Sequence, residues 1–212
     1  MQNLSCAATE RNDLMIPDFP EFKKYKKQLK ERLDDYRYRH SLAVSERAAF
    51  LAERNGIDEK QAALAGLLHD ITKNDSPKTQ LQILADSAIM LTETEKQSPK
   101  LWHAISGAAY VRDILKIGDP EIVSAIRYHT TARAGMTVLE KVIYIADYTS
   151  ADRTYPDVQT VRELADTDLD AAILYALSYT VKDLVNKQVP VHPDTVSAYN
   201  ELTGKRLAAG SA

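Results

Sequence analysis

From Pro20 onward, apolar residues recur three and four positions apart almost without a break, and no stretch alternates as a half-buried strand would. The pattern predicts helices throughout. The first begins near Pro20, carries Tyr36, His40, Ala43, Val44 and Leu51 on one face, and stops at Asn55-Gly56. Asp58 is the expected N-cap of a second, Glu59 to about Thr72, with Leu64, Leu67, Leu68 and Ile71 inward. Lys73 to Pro77 reads as a loop. Shorter helices follow at 78–90 and 93–98, the latter opened by a Thr92…Glu95 capping box. Another runs from Ser98-Pro99 to about Lys116, and Asp119-Pro120 caps the next, whose inner face holds Ile122, Ala125, Ile126 and His129. Helices over Val138–Tyr148, 157–165 and 168–187, and one starting after His192-Pro193-Asp194, complete an irregular all-α bundle. Residues 1–17 have no such pattern. A poorly ordered N-terminal extension over 1–20 is expected to precede one domain spanning 21–212.

Composition adds exclusions. Of 212 residues, 44% are hydrophobic and 27% charged, an ordinary globular balance. A net charge of −3 exerts no general pull on nucleic acid or anionic membrane. The one basic concentration, Lys23, Lys24, Lys26, Lys27, Lys30 and Arg32, is interleaved with Glu21, Glu31, Asp34 and Asp35 and reads as a solvated helix face. Cys6 is the only cysteine, which excludes an intrachain disulfide and cysteine-rich zinc modules and fits a reducing cytoplasm. No segment approaches the ~20 apolar residues of a membrane span, and the N-terminus lacks a signal peptide's apolar core.

Histidine placement changes the picture. Four of the five histidines, His40, His69, His103 and His129, fall on the inward side of predicted helices. A single buried imidazole is satisfied by a neighbour, but four need four partners, and a metal centre would serve them together. Two carboxylates join them. Asp70 adjoins His69 at the end of the apolar run Ala62 to Leu68, and Asp147 ends the run Val142 to Ala146. A carboxylate in such surroundings costs several kcal/mol unless paired or metal-bound. Imidazole and carboxylate ligands without thiolate suit iron, manganese, zinc or similar ions and do not choose among them.

The order His40…His69-Asp70…His103…His129…Asp147 resembles the HD-domain phosphohydrolases, in particular their dinuclear subset. Longer strings sharpen the likeness: LLHDITK (67–73), HTTARAGMTVLEKVIYIADY (129–148) and PVHPDT (190–195) are similar to the YqeK family of bacterial HD proteins over about residues 25–205. The resemblance implies an HD-type helical bundle that hydrolyses diadenosine tetraphosphate symmetrically to two ADP. It implies that His40, His69, Asp70 and Asp147 bind iron, one or two ions, with manganese or another divalent metal as the alternative. His103 and His129 would hold a second metal or contact phosphates, and both join His69 and Asp70 as candidate catalytic residues. Asp70 would be the natural bridge between two ions.

A polyphosphate needs cations and amide donors near the metal. Lys73 follows the His-Asp pair; Arg37 lies one turn before His40; Arg153 follows Asp147 by six residues. Thr130 and Arg133 lie in the small-residue loop after His129, where Gly135 would permit close backbone approach. Pro190, Val191, His192, Pro193, Asp194 and Thr195 start the last helix, whose N-terminus can receive an anion or base edge. The resemblance assigns this segment to nucleotide contact, with His192 as pocket lining, while Trp102 is read as core packing. The expected partner is a dinucleoside polyphosphate or an ADP- or GDP-type nucleotide, not nucleic acid or membrane, and a homodimer is conceivable. Competing readings are another HD-type nucleotide phosphatase or phosphodiesterase, or a nucleotide-binding regulator without turnover.

Overall fold

A computed structural model describes residues 19–210, so most of the expected N-terminal extension lies outside the described residues. Eleven α-helices occupy these residues: α1 Lys23–Arg32, α2 Asp35–Arg54, α3 Glu59–Leu68, α4 Pro77–Asp86, α5 Glu93–Lys96, α6 Trp102–Asp113, α7 Pro120–Tyr128, α8 Val138–Thr149, α9 Val158–Thr167, α10 Leu169–Asn186 and α11 Pro193–Gly210. Two 3-10 turns, Pro20–Phe22 and Pro99–Leu101, lead into α1 and α6, and no strand occurs among the described residues. None of these helices is long and apolar enough to cross a membrane.

The caps anticipated at Asp58, Thr92 and Asp119 are made, each side chain accepting from a backbone N–H in its own first turn, and Asp168 starts α10 in the same way. Several helices end earlier than expected, α4 at Asp86 and not 90, α6 at Asp113 and not Lys116, and two differences bear on the site. The long first helix is two, because Leu33 is extended and Asp34 accepts from the Arg37 N–H to start α2 afresh. Its basic face is mostly solvated, as expected, but Arg32 turns inward to donate to the Ile71 carbonyl at 3.3 Å, pairs with Asp75 and covers the Tyr110 ring. The second helix ends at Leu68, four residues early. Beyond it Ile71, Lys73 and Asp75 donate to carbonyls three residues back, so His69 and Asp70 sit on a run of tight turns.

The core is continuous from Phe22 and Leu29 through Leu51, Leu67 and Ile71 to Ile126, Ile143, Ile145 and Ile173. Helix α2 packs on α3 and α8, while α7 packs on α3, α6 and α8. The α2–α3 approach is close because of Gly66: a Cβ there would lie 3.0 Å from the Val44 carbonyl oxygen and 3.1 Å from Ser45 Cα. Ser45 Oγ crosses the same seam to the Ala63 carbonyl at 2.8 Å. His40 is thereby carried next to His69.

Candidate metal centre

Four imidazoles line one row through the core: His40, His69, His129 and His103, with successive ring centroids 5.2, 5.0 and 5.2 Å apart, all edge to face. None is more than 3% exposed. His69 and His129 occupy equivalent positions, each the residue ending its helix, α3 and α7. Each turns Nδ1 onto the carbonyl three residues back, Gly66 and Ile126, at 2.7 Å. In a continuing helix those carbonyls would accept from Asp70 and Thr130. With Nδ1–H so engaged, Nε2 of each ring presents its lone pair to the centre. His40 sits inside α2 and finds its Nδ1 partner elsewhere, in Asp152 Oδ2 at 2.9 Å.

Asp70 turns one oxygen to each side of the row. Its Oδ2 faces His69 Nε2 at 3.6 Å and Arg37 at 3.5 Å. Its Oδ1 faces His103 Nε2 at 3.2 Å, Lys73 Nζ at 3.4 Å and His129 Nε2 at 3.5 Å. Asp147 brings Oδ1 to 3.0 Å from His40 Nε2 and pairs with Arg153, which also reaches the same imidazole nitrogen at 3.3 Å. Two ligand groups result, His40-His69-Asp147 and His69-Asp70-His129, the ligand atoms of each lying within 4.8 Å of one another.

The electrostatics suit a cation. Burial drives the His69 imidazole down to about 3 and that of His103 to about 4, so both rings stay neutral near pH 7. Burial opposes charge on Asp70, but the surrounding imidazoles and the Lys73 ammonium overcome it and hold the carboxyl well below its ordinary range. For His40, burial is outweighed by the carboxylates of Asp147 and Asp152, which raise it. Two buried atoms at the middle, His69 Nε2 and Asp70 Oδ1, have no hydrogen-bond partner of good geometry. An orphaned imidazole lone pair facing a carboxylate oxygen is what a metal ion between them would resolve. The residues present therefore fit a divalent metal.

The expected perimeter is only partly gathered here. Arg37, Lys73 and Arg153 reach the cluster. Arg133 does not: its guanidinium is engaged by the buried Glu140 at 2.9 Å and lies over the Tyr128 ring. Gly135 adopts φ +66° in an exposed turn and donates its N–H to Glu201, and nothing crowds its α-carbon. Its conformation, not close approach, is what needs glycine. Thr130 Oγ1 and Thr131 Oγ1 are buried and unpartnered beside His129. The 190–195 segment packs on that loop, Thr195 Oγ1 donating to the Thr131 carbonyl at 2.8 Å. Within it Pro190 and Pro193 are exposed, Val191 and Asp194 half-buried. His192 is buried, with Nε2 3.6 Å from Glu95 Oε1. Trp102 anchors α6 by donating Nε1–H to the Glu95 carbonyl at 2.7 Å.

Two contributors were not foreseen. Glu95 appears in the sequence only as the second half of a capping box, yet it also pairs with Arg127 and faces His192. Asp152 lies in the turn after α8, where no periodicity marks which side chains point inward.

Comparison with known proteins accords with this geometry. Residues 37–152 match the HD domain. A symmetrical bis(5'-nucleosyl)-tetraphosphatase of Bacillus subtilis is 42% identical over 82% of this chain and 93% of its own length. Its namesake from Halalkalibacterium halodurans is 38% identical over 82% and 92%. The crystal structure of a predicted HD superfamily hydrolase involved in NAD metabolism from Clostridium acetobutylicum superposes with a TM-score of 0.84 at 33% identity, covering 87% of this chain and 97% of that one. The chain belongs to the HD-domain family, in the branch formed by these symmetrical bis(5'-nucleosyl)-tetraphosphatases.

Proposed function

We propose that this chain is a metal-dependent hydrolase that cleaves diadenosine tetraphosphate symmetrically, consuming one water and releasing two ADP. The observation that carries the reading is the pair of ligand groups His40-His69-Asp147 and His69-Asp70-His129, joined at His69, with His69 Nε2 and Asp70 Oδ1 buried and without partners. The relatives that share this chain nearly end to end bear the name of that activity.

Iron is the metal we assign to His40, His69, Asp70 and Asp147. The two ligand groups share His69, whose single free nitrogen can serve one ion only; were a second ion bound, Asp70, with an oxygen on each side, and His129 would be the residues to hold it, while His103 faces phosphate. Such a metal supplies a Lewis acid for phosphoryl oxygens and lowers the pKa of bound water. The protein's own groups do the rest. Arg37, Lys73 and Arg153 ring the carboxylates and offer donors to polyphosphate oxygens, gathering negative charge where phosphorus is attacked. Lys73 Nζ donates to His103 Nε2 at 2.9 Å, which keeps the His103 proton on Nδ1 and couples the cation to the imidazole. The Thr130-Thr131 hydroxyls and the start of α11 form the adjoining wall, which we assign to the nucleotide. The single cysteine accords with work in the cytoplasm.

Product analysis tests the assignment. Iron-loaded protein incubated with diadenosine tetraphosphate should yield ADP alone. ATP plus AMP would refute symmetrical cleavage, and no turnover with iron, manganese or cobalt would refute the enzyme reading.

A further inference from the structure

His40 differs from His69 and His129, its fellows in the two ligand groups, in one structural respect. His69 and His129 end their helices and are oriented by carbonyls of their own chain segment. His40 lies inside α2, where the neighbouring carbonyls are already engaged by the helix, so nothing local can set its tautomer. Its ring is also flanked by carboxylates on both sides, Asp147 at Nε2 and Asp152 at Nδ1. A neutral imidazole has one proton, and which nitrogen carries it decides whether Nε2 can be a ligand.

We infer that Asp152 is a positioning residue for the metal centre: it accepts the His40 Nδ1–H, fixes the tautomer that leaves Nε2 free, and strengthens His40 as a ligand. This rests on the reading of His40 as a metal ligand given above. The geometry behind it is a latch held at several points. Asp152 Oδ2 is 2.9 Å from His40 Nδ1, and Asp152 Oδ1 accepts from the hydroxyl of the fully buried Ser150 at 2.7 Å. Arg162, from α9, donates to the carbonyls of Thr149 at 3.0 Å, Ser150 at 2.7 Å and Arg153 at 3.0 Å, lacing the turn that carries Asp152. The same turn delivers Arg153 to Asp147, so one short segment sets both sides of the His40 ring. A carboxylate behind a ligating histidine raises its basicity, and losing such a partner costs about 10- to 100-fold in metal affinity.

The test compares wild type, Asp152→Ala, Asp152→Asn and Ser150→Ala by anaerobic competition for Fe(II) against a chromophoric chelator, with thermal melting of each metal-free protein alongside. Asp152→Ala should weaken Fe(II) binding about 10- to 100-fold. Asp152→Asn, whose amide oxygen can still accept the proton, should recover part of that loss, and Ser150→Ala should show a smaller loss. Metal-free melting should not follow this order. Asp152→Ala binding within twofold of wild type would overturn the inference, as would Asp152→Asn losing as much as Asp152→Ala. Should Asp152→Ala not fold, Ser150→Ala and Asp152→Asn both binding like wild type would overturn it. Wild type binding no Fe(II) would instead bring down the metal-centre reading on which the inference depends.

Discussion

Glycine-to-alanine substitutions at two helical positions should move stability in opposite directions. At Gly66 the added Cβ meets the Val44 carbonyl oxygen at 3.0 Å and Ser45 Cα and Ala48 Cβ at 3.1 Å, all rigid parts of α2. Relief requires α2 and α3 to part by a few tenths of an ångström. Overpacking of this kind costs about 1–3 kcal/mol, and backbone contacts place Gly66 toward the upper end. The gain in helix propensity returns at most about 1 kcal/mol. A net loss of about 1–2 kcal/mol follows, or roughly 2–8 °C in Tm for a chain of this size. At Gly107 the nearest atoms to a new Cβ are Thr72 Oγ1 at 3.5 Å and the His69 carbonyl oxygen at 3.6 Å, ordinary contacts. There only the propensity term remains, so Gly107→Ala should match or exceed wild type by up to about 1 kcal/mol. The seam that Gly66 closes also sets His40 against His69, so Gly66→Ala should lower metal occupancy too. Urea denaturation of the two metal-free variants checks the signs. Gly66→Ala as stable as wild type, or both variants equally destabilised, would refute the argument.

His69→Ala or Asp70→Ala should abolish turnover and empty the centre while leaving far-ultraviolet circular dichroism nearly unchanged; retained iron by elemental analysis would count against their role as ligands. Lys73→Ala removes a cation from Asp70 and His103 and should lower kcat/KM about 10- to 100-fold, the worth of one hydrogen bond to a charged group, checked by steady-state kinetics. Glu95→Ala leaves Arg127 without its carboxylate and opens a capping box, so a loss of about 3 kcal/mol, or roughly 6–12 °C, is expected. Burial would raise the Glu95 carboxyl, but the Thr92 N–H and the Arg127 guanidinium outweigh it and hold it below its ordinary 4.5. Its stabilisation is therefore full above pH 4.5 and lost as pH falls through the lower native value, so the wild-type advantage over Glu95→Ala should shrink below pH 4.5 in melting curves.

Helical period alone carried much of the molecule. A buried face forces apolar residues to recur at helical spacing, and that put His40, His103, His129 and Asp147 on inner faces correctly. Caps were equally legible, since Asp58, Thr92 and Asp119 satisfy N–H groups within their own first turn, a strictly local requirement. Misreadings arose where one local signal overrode an unbroken pattern. The periodicity runs on through Leu33-Asp34, so the cap that divides α1 from α2 was hidden within an apparently continuous helix. The end of α3 at Leu68 depends partly on His69 taking the Gly66 carbonyl, a side-chain choice that hydrophobic period does not encode. The pairing of Arg133 with Glu140 was not legible either, because Glu140 sits in the next helix as an ordinary capping-box residue. Asp152 had no signal: loops lack a period, and its meeting with His40 spans 112 positions.

The central claim is that hydrolysis depends on metal held by His40, His69, Asp70 and Asp147. It is tested most directly by stripping the purified protein with chelator, adding Fe(II) back anaerobically in substoichiometric steps, and following nucleotide products from diadenosine tetraphosphate. ADP release should vanish on stripping, return in proportion to bound iron, and remain the sole product. ADP release that persists in the metal-free protein, or a restored activity yielding ATP and AMP, would contradict it.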